Sequence, residues 1–349
     1  MLPYWLLFGF YASGAVFHKT GSRDLRRLSP LLWAGVIVTT VMIGFRYKVG
    51  ADWLNYVEIF RVVGGATTAE ILALGDPSYM GLNALAHTLG VGIWLVNLAC
   101  AAIFMVGLTS FARRQPNPWL TIAVGIPYLT IVVVMGYTRQ GAAIGVTMIA
   151  LGAFQDRRYL RFLLLILFAA SFHKSAVAML PIIALSTVRH RFAVYSVAAL
   201  FAVLLFSVFL DRFIDVFAVT YISSEMSSSG AGIRIAMNVV PAVIFLFNAR
   251  RFVLDEQEFT LWRNFSILVF LTVIGLAVLP STAVDRLALY LIPLQLFVLG
   301  RLPYAFPNGD RRNEQVMLAV LGYCVAVQVV WLVFAAHAQY WVPYRMAFA

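Results

Sequence analysis

Cysteine is nearly absent. Cys100 and Cys324 are the only two in 349 residues, and each lies inside an apolar run, which excludes a disulfide framework and a thiolate metal site. Charge is scarce as well: Asp, Glu, Lys and Arg make up 12% of the chain, against about 25% in a soluble domain. No G-x-x-x-x-G-K-[ST] stretch occurs, which speaks against an ATP-driven pump. His87, His173 and His337 lie far apart without paired carboxylates, so no metal site is expected. No internal repeat is visible, which disfavours an inverted-repeat transporter. Residues 1–17 lack a basic start and no A-x-A site follows them, so they read as a first spanning helix rather than a cleaved leader.

What the chain has instead is apolar length. Hydrophobic residues form 62% of it, in runs of near-spanning length that recur from end to end. That predicts an all-α, polytopic transmembrane helical bundle occupying 1–349 as a single membrane domain. Hydropathy suggests about twelve spans, near 2–18, 28–45, 90–111, 119–136, 140–155, 159–172, 174–188, 192–210, 235–250, 262–280, 284–300 and 316–336.

The basic residues orient these spans. One set of loops holds Lys19, Arg23, Arg26 and Arg27, then Arg113-Arg114, Arg157-Arg158 with Arg161, Arg189 and Arg191, Arg250-Arg251 with Arg263, and Arg301 with Arg311-Arg312. This larger set, full of adjacent pairs, is expected on the cytoplasmic side, with both termini outside. The net charge of +11 is therefore a topology signal; no continuous basic face forms, and no nucleic-acid partner is expected. The smaller, outward set is mostly single residues hard against span ends: Arg46, Arg139, Lys174 and Arg286. Such residues oppose the positive-inside bias, and moving one to the bilayer centre costs about 2.5–3.5 kcal/mol on insertion scales. Lining a wet cavity or meeting an anion accounts for them.

Two outward loops are long. Residues 46–89 are expected to carry short interfacial helices. Residues 211–234 include a serine-rich run, Ser223 to Gly230, that reads as a lid or as a passive linker. Four outward clusters stand out: Arg46, Gly50, Asp52 and Tyr56; Tyr137 to Gly141; Ser171 to Ser175; and Asp285-Arg286 with Tyr290 one turn on. Arginine presents fixed donors and keeps its charge when desolvated, so it suits phosphate recognition. Three arginines, His173, Lys174 and two aspartates at one membrane level fit an anionic, lipid-linked substrate. Structural readings compete residue by residue. Asp285-Arg286 can pair with another helix, His173 can bond a carbonyl, Lys174 can snorkel, and Tyr47, Trp53 and Tyr56 can belong to the aromatic belt.

In this order, the clusters resemble the EpsG family, within the wider Wzy group of polysaccharide polymerases. The matching text is Phe45-Arg46-Tyr47, Gly50-Ala51-Asp52 and Tyr56; Arg139-Gln140-Gly141-Ala142; Phe172-His173-Lys174-Ser175-Ala176; Asp285-Arg286; and the closing Tyr340-Trp341-Val342-Pro343-Tyr344. Lys174 stands where a Pro or small residue is expected, and Ala51 where Thr is commoner. The resemblance implies a bundle similar to the GT-C glycosyltransferases in the bacterial cytoplasmic membrane. It would join undecaprenyl-pyrophosphate-linked oligosaccharide repeat units into an exopolysaccharide or capsule chain on the periplasmic face, with a co-polymerase and a flippase as partners and no cofactor. Arg139 and Arg286, with Arg46 third, would hold the pyrophosphate; Asp52, then His173, would serve as base, with Asp52 equally placed to stabilise an oxocarbenium-like centre; Gln140, Lys174, Asp285 and Tyr56 would support the substrate. A lipid-linked oligosaccharide flippase, an O-antigen ligase and a membrane acyltransferase are the competing readings. The clustering of charge at the outer span ends favours a one-sided enzyme over a flippase.

Overall fold

A computed structural model describes residues 1–18, 29–180, 186, 230–278 and 281–347. The basic residues between 19 and 28, Arg189, Arg191, Arg212, the expected span 192–210, the latter part of the expected span 174–188 and the serine-rich run lie outside the described residues. Regular structure among the described residues is helical, with no strand. Five helical segments are long and apolar enough to cross a membrane: Ile93–Ala112, Ala231–Phe252, Glu256–Ala277, Ser281–Ala305 and Glu314–Phe334. Shorter apolar helices run over Leu2–Phe17, Pro30–Gly44, Pro118–Val134 and Tyr159–Phe172. The chain is thus an all-helical membrane bundle.

The helices form two compact units, Met1–Ala176 with Leu299–Ala349, and Val177–Val298. The first unit begins with α1 (Leu2–Phe17) and α2 (Pro30–Gly44), the latter capped by the Ser29 hydroxyl accepting from the Leu32 N–H at 3.2 Å. The loop 46–89 then holds three helices: α3 (Trp53–Gly65), α4 (Thr68–Ala73) and α5 (Pro77–Thr88). After them come α6 (Ile93–Ala112), α7 (Pro118–Gly125) continuing as a π-helix (Ile126–Val134), α8 (Thr138–Gln155) and α9 (Tyr159–Phe172).

Helix α8 is the centre of this unit, packed on both α6 and α9. Its sequence explains the position. Gly141 and Gly145, four residues apart, leave one stripe without side chains, which lets a neighbouring helix approach closely in a membrane. The crossing with α6 uses this freedom: a Cβ on Gly107 would lie 2.0 Å from the Gly145 carbonyl oxygen. A helix enclosed by others need not be strongly apolar, and α8 falls outside the apolar segments named above. At 18 residues it is about 27 Å long, close to the thickness of a bilayer core.

The two ends of the unit differ in chemistry. At one end Arg114 meets Asp156 through two bonds of 2.9 and 2.7 Å, the Asn117 amide donates to the Ala15 carbonyl at 3.0 Å, and Arg312 donates to the carbonyls of Ala15, Val16 and His18. Those carbonyls are the orphan acceptors at the end of α1, and a cation there also complements the helix dipole. The opposite end carries Arg46 and Arg139.

In the second unit, α10 (Ala231–Asn248) packs on α11 (Glu256–Val278) and on the short α12 (Ser281–Ala288). Phe297, early in α13 (Ile292–Ala305), stacks on Trp262 with ring centroids 4.2 Å apart. Helix α14 (Glu314–Val329), which belongs to the first unit, ends in a second π-helical turn, Val330–Phe334.

Candidate functional site

The chain leaves α2 at Gly44 and turns sharply through residues 45–52. Gly50 makes the turn possible: its φ is +103°, and a Cβ there would lie 2.2 Å from the Met135 carbonyl oxygen. A side chain is excluded on both counts. The close approach brings Arg46 to the same carbonyl. Its Nε donates to the Met135 and Val49 carbonyls at 3.1 and 3.3 Å, Nη1 to the Ile43 carbonyl at 2.7 Å, and Nη2 to Thr138 Oγ1 at 2.7 Å and Asn97 Oδ1 at 3.4 Å. Arg46 has 0% of its surface exposed. Its partners are neutral oxygens from α2, α6, the break before α8 and the turn itself, so the guanidinium ties four segments together.

The C-terminal tail closes over this turn. The Gly50 N–H donates to the Tyr340 carbonyl at 2.8 Å, the Tyr47 N–H to Arg345 at 2.9 Å, and the Ala347 N–H to Phe45 at 2.8 Å. Trp341 is buried and donates its indole N–H to the Ile131 carbonyl at 2.8 Å, while its own carbonyl accepts from the Tyr4 hydroxyl at 2.9 Å. The Tyr344 hydroxyl donates to the Met42 carbonyl at the end of α2 at 2.9 Å. The closing Tyr-Trp-Val-Pro-Tyr stretch is therefore a strap on the Arg46 turn.

Arg139 stands differently. It is the second residue of α8, where N–H groups without intrahelical partners and the helix dipole both favour an anion. Its guanidinium carbon lies 6.0 Å from the Tyr56 ring centroid and 5.7 Å from that of Tyr79, with the two buried rings 5.8 Å apart. Nη1 donates to Asp76 Oδ2 at 2.7 Å, and the side chains of Arg139 and Asp76 remain 27% and 12% exposed. Asp76 also accepts from the Lys174 backbone N–H. Burial raises the Asp76 carboxyl above the ordinary carboxylate range, against the opposing pull of Arg139 and Lys174. Burial likewise pushes the Tyr56 phenol up to about 12.

Four segments thus converge on Arg139: α3 through Tyr56, α5 through Asp76 and Tyr79, α8 itself, and the turn after α9 through Lys174. The Ser78 hydroxyl, 2.6 Å from that of Ser171, fastens α5 to α9 beside them. His173 is buried at the end of α9 with its N–H on the Ala169 carbonyl at 3.0 Å, whereas the Lys174 side chain is exposed. Asp52 is half-buried and begins α3; its carbonyl accepts from the Tyr56 N–H at 3.0 Å, and its charge acts on the Tyr56 phenol. Gln140 is buried in α8.

Asp285 and Arg286 belong to the second unit. Asp285 is the buried carboxylate of a bidentate pair with Arg234 of α10, at 2.8 and 2.9 Å, and Arg286 is half-buried on α12. Sequence reasoning missed Asp76, the carboxylate that meets Arg139. The signal for it was Gly75-Asp76-Pro77, a helix-start pattern within the loop 46–89.

The fold and this end of the first unit define a class: a polytopic helical membrane protein with buried and half-buried guanidinium groups where its spans meet a loop of short helices. More particularly, the chain belongs to the EpsG family, which it matches over residues 31–346. That range contains each of the motifs gathered around Arg46, Arg139, Lys174 and Arg286. Membership points to a membrane polysaccharide polymerase. No curated protein and no solved structure matches the chain.

Proposed function

We propose that the protein is a glycosyltransferase that joins undecaprenyl-pyrophosphate-linked oligosaccharide repeat units into an exopolysaccharide or capsule chain, on the periplasmic face of the bacterial cytoplasmic membrane. An acceptor sugar hydroxyl attacks the anomeric carbon of the growing chain. The bond from that carbon to the phosphate oxygen breaks, undecaprenyl pyrophosphate leaves with the electron pair, and the hydroxyl proton passes to a base. Negative charge grows on the leaving group in the transition state, so a fixed cation beside it lowers the barrier.

The single observation that carries this reading is Arg139: a guanidinium at a helix N-terminus, gripped by two tyrosine rings and still 27% exposed. We assign it to the pyrophosphate, with the exposed Lys174 beside it; Arg286 is a separate candidate for phosphate binding. Asp52 is the first candidate for the base and His173 the second. Arg46, whose donors are engaged by the fold, is assigned to holding the turn that leads into Asp52 and Tyr56. A co-polymerase and a flippase of the same pathway are the expected partners.

Expression of Arg139→Ala in cells tests the assignment. The variant is expected to insert and accumulate at the wild-type level while polymer disappears. Wild-type polymer levels from Arg139→Ala would remove Arg139 from the chemistry.

A further inference from the structure

Among the described residues, three Arg–Asp pairs can be compared in geometry. Arg234–Asp285 and Arg114–Asp156 are bidentate, each with two N–O contacts of 2.7–2.9 Å. This is the arrangement that neutralises a guanidinium most fully. Arg139–Asp76 is not: one carboxylate oxygen meets Nη1, and the buried Nε–H of Arg139 has no hydrogen-bond acceptor among the described residues. The Tyr56 hydroxyl is a further side-chain partner of this guanidinium, so Asp76 occupies one edge of the fork and no carboxylate occupies the other.

Asp76 also gives up what an aspartate in its position ordinarily does. It is the N-cap residue of α5, directly before Pro77, yet its carboxylate makes no capping bond to that helix. Its backbone sits at φ +50°, in the left-handed region where a non-glycine residue is strained. The Lys174 N–H fixes the carboxylate from the other side. A strained, non-capping aspartate held against half of a partly exposed guanidinium is an anion placed in an anion site.

We propose that the Asp76 carboxylate is a positioning residue that stands in for a phosphate of the substrate: it orients Arg139 in the resting site and is displaced when a phosphate engages the same guanidinium. The proposal rests on the reading of Arg139 as the phosphate-binding residue. The Tyr56 and Tyr79 rings keep the guanidinium plane fixed while its anionic partner changes. A phosphate has the oxygens to fill both edges of the fork, where Asp76 fills one. The exchange makes binding selective for a ligand that outcompetes a carboxylate.

The test measures inorganic pyrophosphate binding to the purified full-length protein, together with KM and kcat for the lipid-linked repeat unit. Asp76→Asn keeps the shape and one acceptor but removes the competing charge. A unit charge about 6 Å from the ligand in a half-buried site predicts pyrophosphate binding tighter by roughly tenfold or more. KM falls in parallel, while kcat does not rise and the melting temperature stays near that of the wild type. Unchanged or weaker pyrophosphate binding in a folded Asp76→Asn protein overturns the proposal and makes the pair a structural tie. If that variant fails to fold, carbodiimide labelling of Asp76 in the wild-type protein, read by mass spectrometry, decides: labelling rises when pyrophosphate is added, and no rise overturns the proposal. Arg139→Ala separates this inference from its premise. If Arg139→Ala binds pyrophosphate as the wild type does, the phosphate reading of Arg139 has failed, and the proposal falls with it for a distinguishable reason.

Discussion

Replacing Arg46 by Met distinguishes a guanidinium that holds the fold from one that serves the substrate. Met keeps most of the stem volume and removes the donors. The two shortest bonds, to the Ile43 carbonyl and Thr138 Oγ1, are both 2.7 Å, and hydrogen bonds from a charged donor contribute about 1.5–3 kcal/mol each. Their loss therefore removes about 3–6 kcal/mol. An opposing term comes from ending the desolvation of a fully buried cation, worth several kcal/mol on its own. Which term wins depends on what the cation leaves behind. The Ile43 carbonyl is an orphan acceptor at the end of α2, and the Met135 carbonyl sits at the break before α8; neither acquires another donor from Met, and a stranded buried acceptor costs about 1–3 kcal/mol. The favourable placement of a cation at a helix C-terminus is lost too, at about 0.3–1 kcal/mol. We expect a net destabilisation of about 2–4 kcal/mol. In thermal unfolding of the purified protein this appears as a melting temperature lower by roughly 5 °C or more, with reduced accumulation in cells. An Arg46→Met protein that melts like the wild type but makes no polymer would refute the reasoning and return Arg46 to the substrate.

Two further substitutions probe the frame. Gly50→Ala is expected to be as damaging as Arg46→Met, because the added Cβ would lie 2.2 Å from the Met135 carbonyl at a φ of +103°; a normal melting temperature for Gly50→Ala would show that the turn is less constrained than described. Asp285→Ala removes the carboxylate that meets buried Arg234 through two bonds, and thermal unfolding should register a loss of about 3–5 kcal/mol. The double variant Arg234→Met, Asp285→Leu should recover most of it, since apolar replacements remove both charges at once; equal melting of the single and double variants would contradict that.

Much of the architecture was legible as hydropathy. The runs near 2–18 and 159–172 emerge as Leu2–Phe17 and Tyr159–Phe172, and the loop 46–89 carries the short helices expected in it. Where the reading fell short, the cause is the same excess of apolar residues that made the spans visible. In α6 and α8 apolar and small residues surround the helix, so periodicity does not reveal which face packs where. The glycines of α8 permit a close approach but do not say which helix makes it; the Gly107–Gly145 approach does. Long-range partners were less legible still. Asp76 is 63 residues from Arg139, and Arg234 is 51 from Asp285. The adjacency of Asp285 and Arg286 in the sequence drew attention to a neighbour that is not the ion-pair partner. The Arg46 and Gly50 motif was visible, but its chemistry was ambiguous. An arginine hard against a span end looks the same in sequence whether its fork meets a ligand or, as at Arg46, carbonyl and side-chain oxygens of its own chain.

The most direct test of the central claim is reconstitution of the purified protein in liposomes with lipid-linked repeat units. No nucleotide is added, and products are resolved by length on a gel. The account predicts a ladder of polymer lengths from the wild-type protein, and no ladder from an Arg139→Ala protein with unchanged melting. Movement of the lipid-linked unit between leaflets without any ladder, or an unaltered ladder from Arg139→Ala, would contradict it.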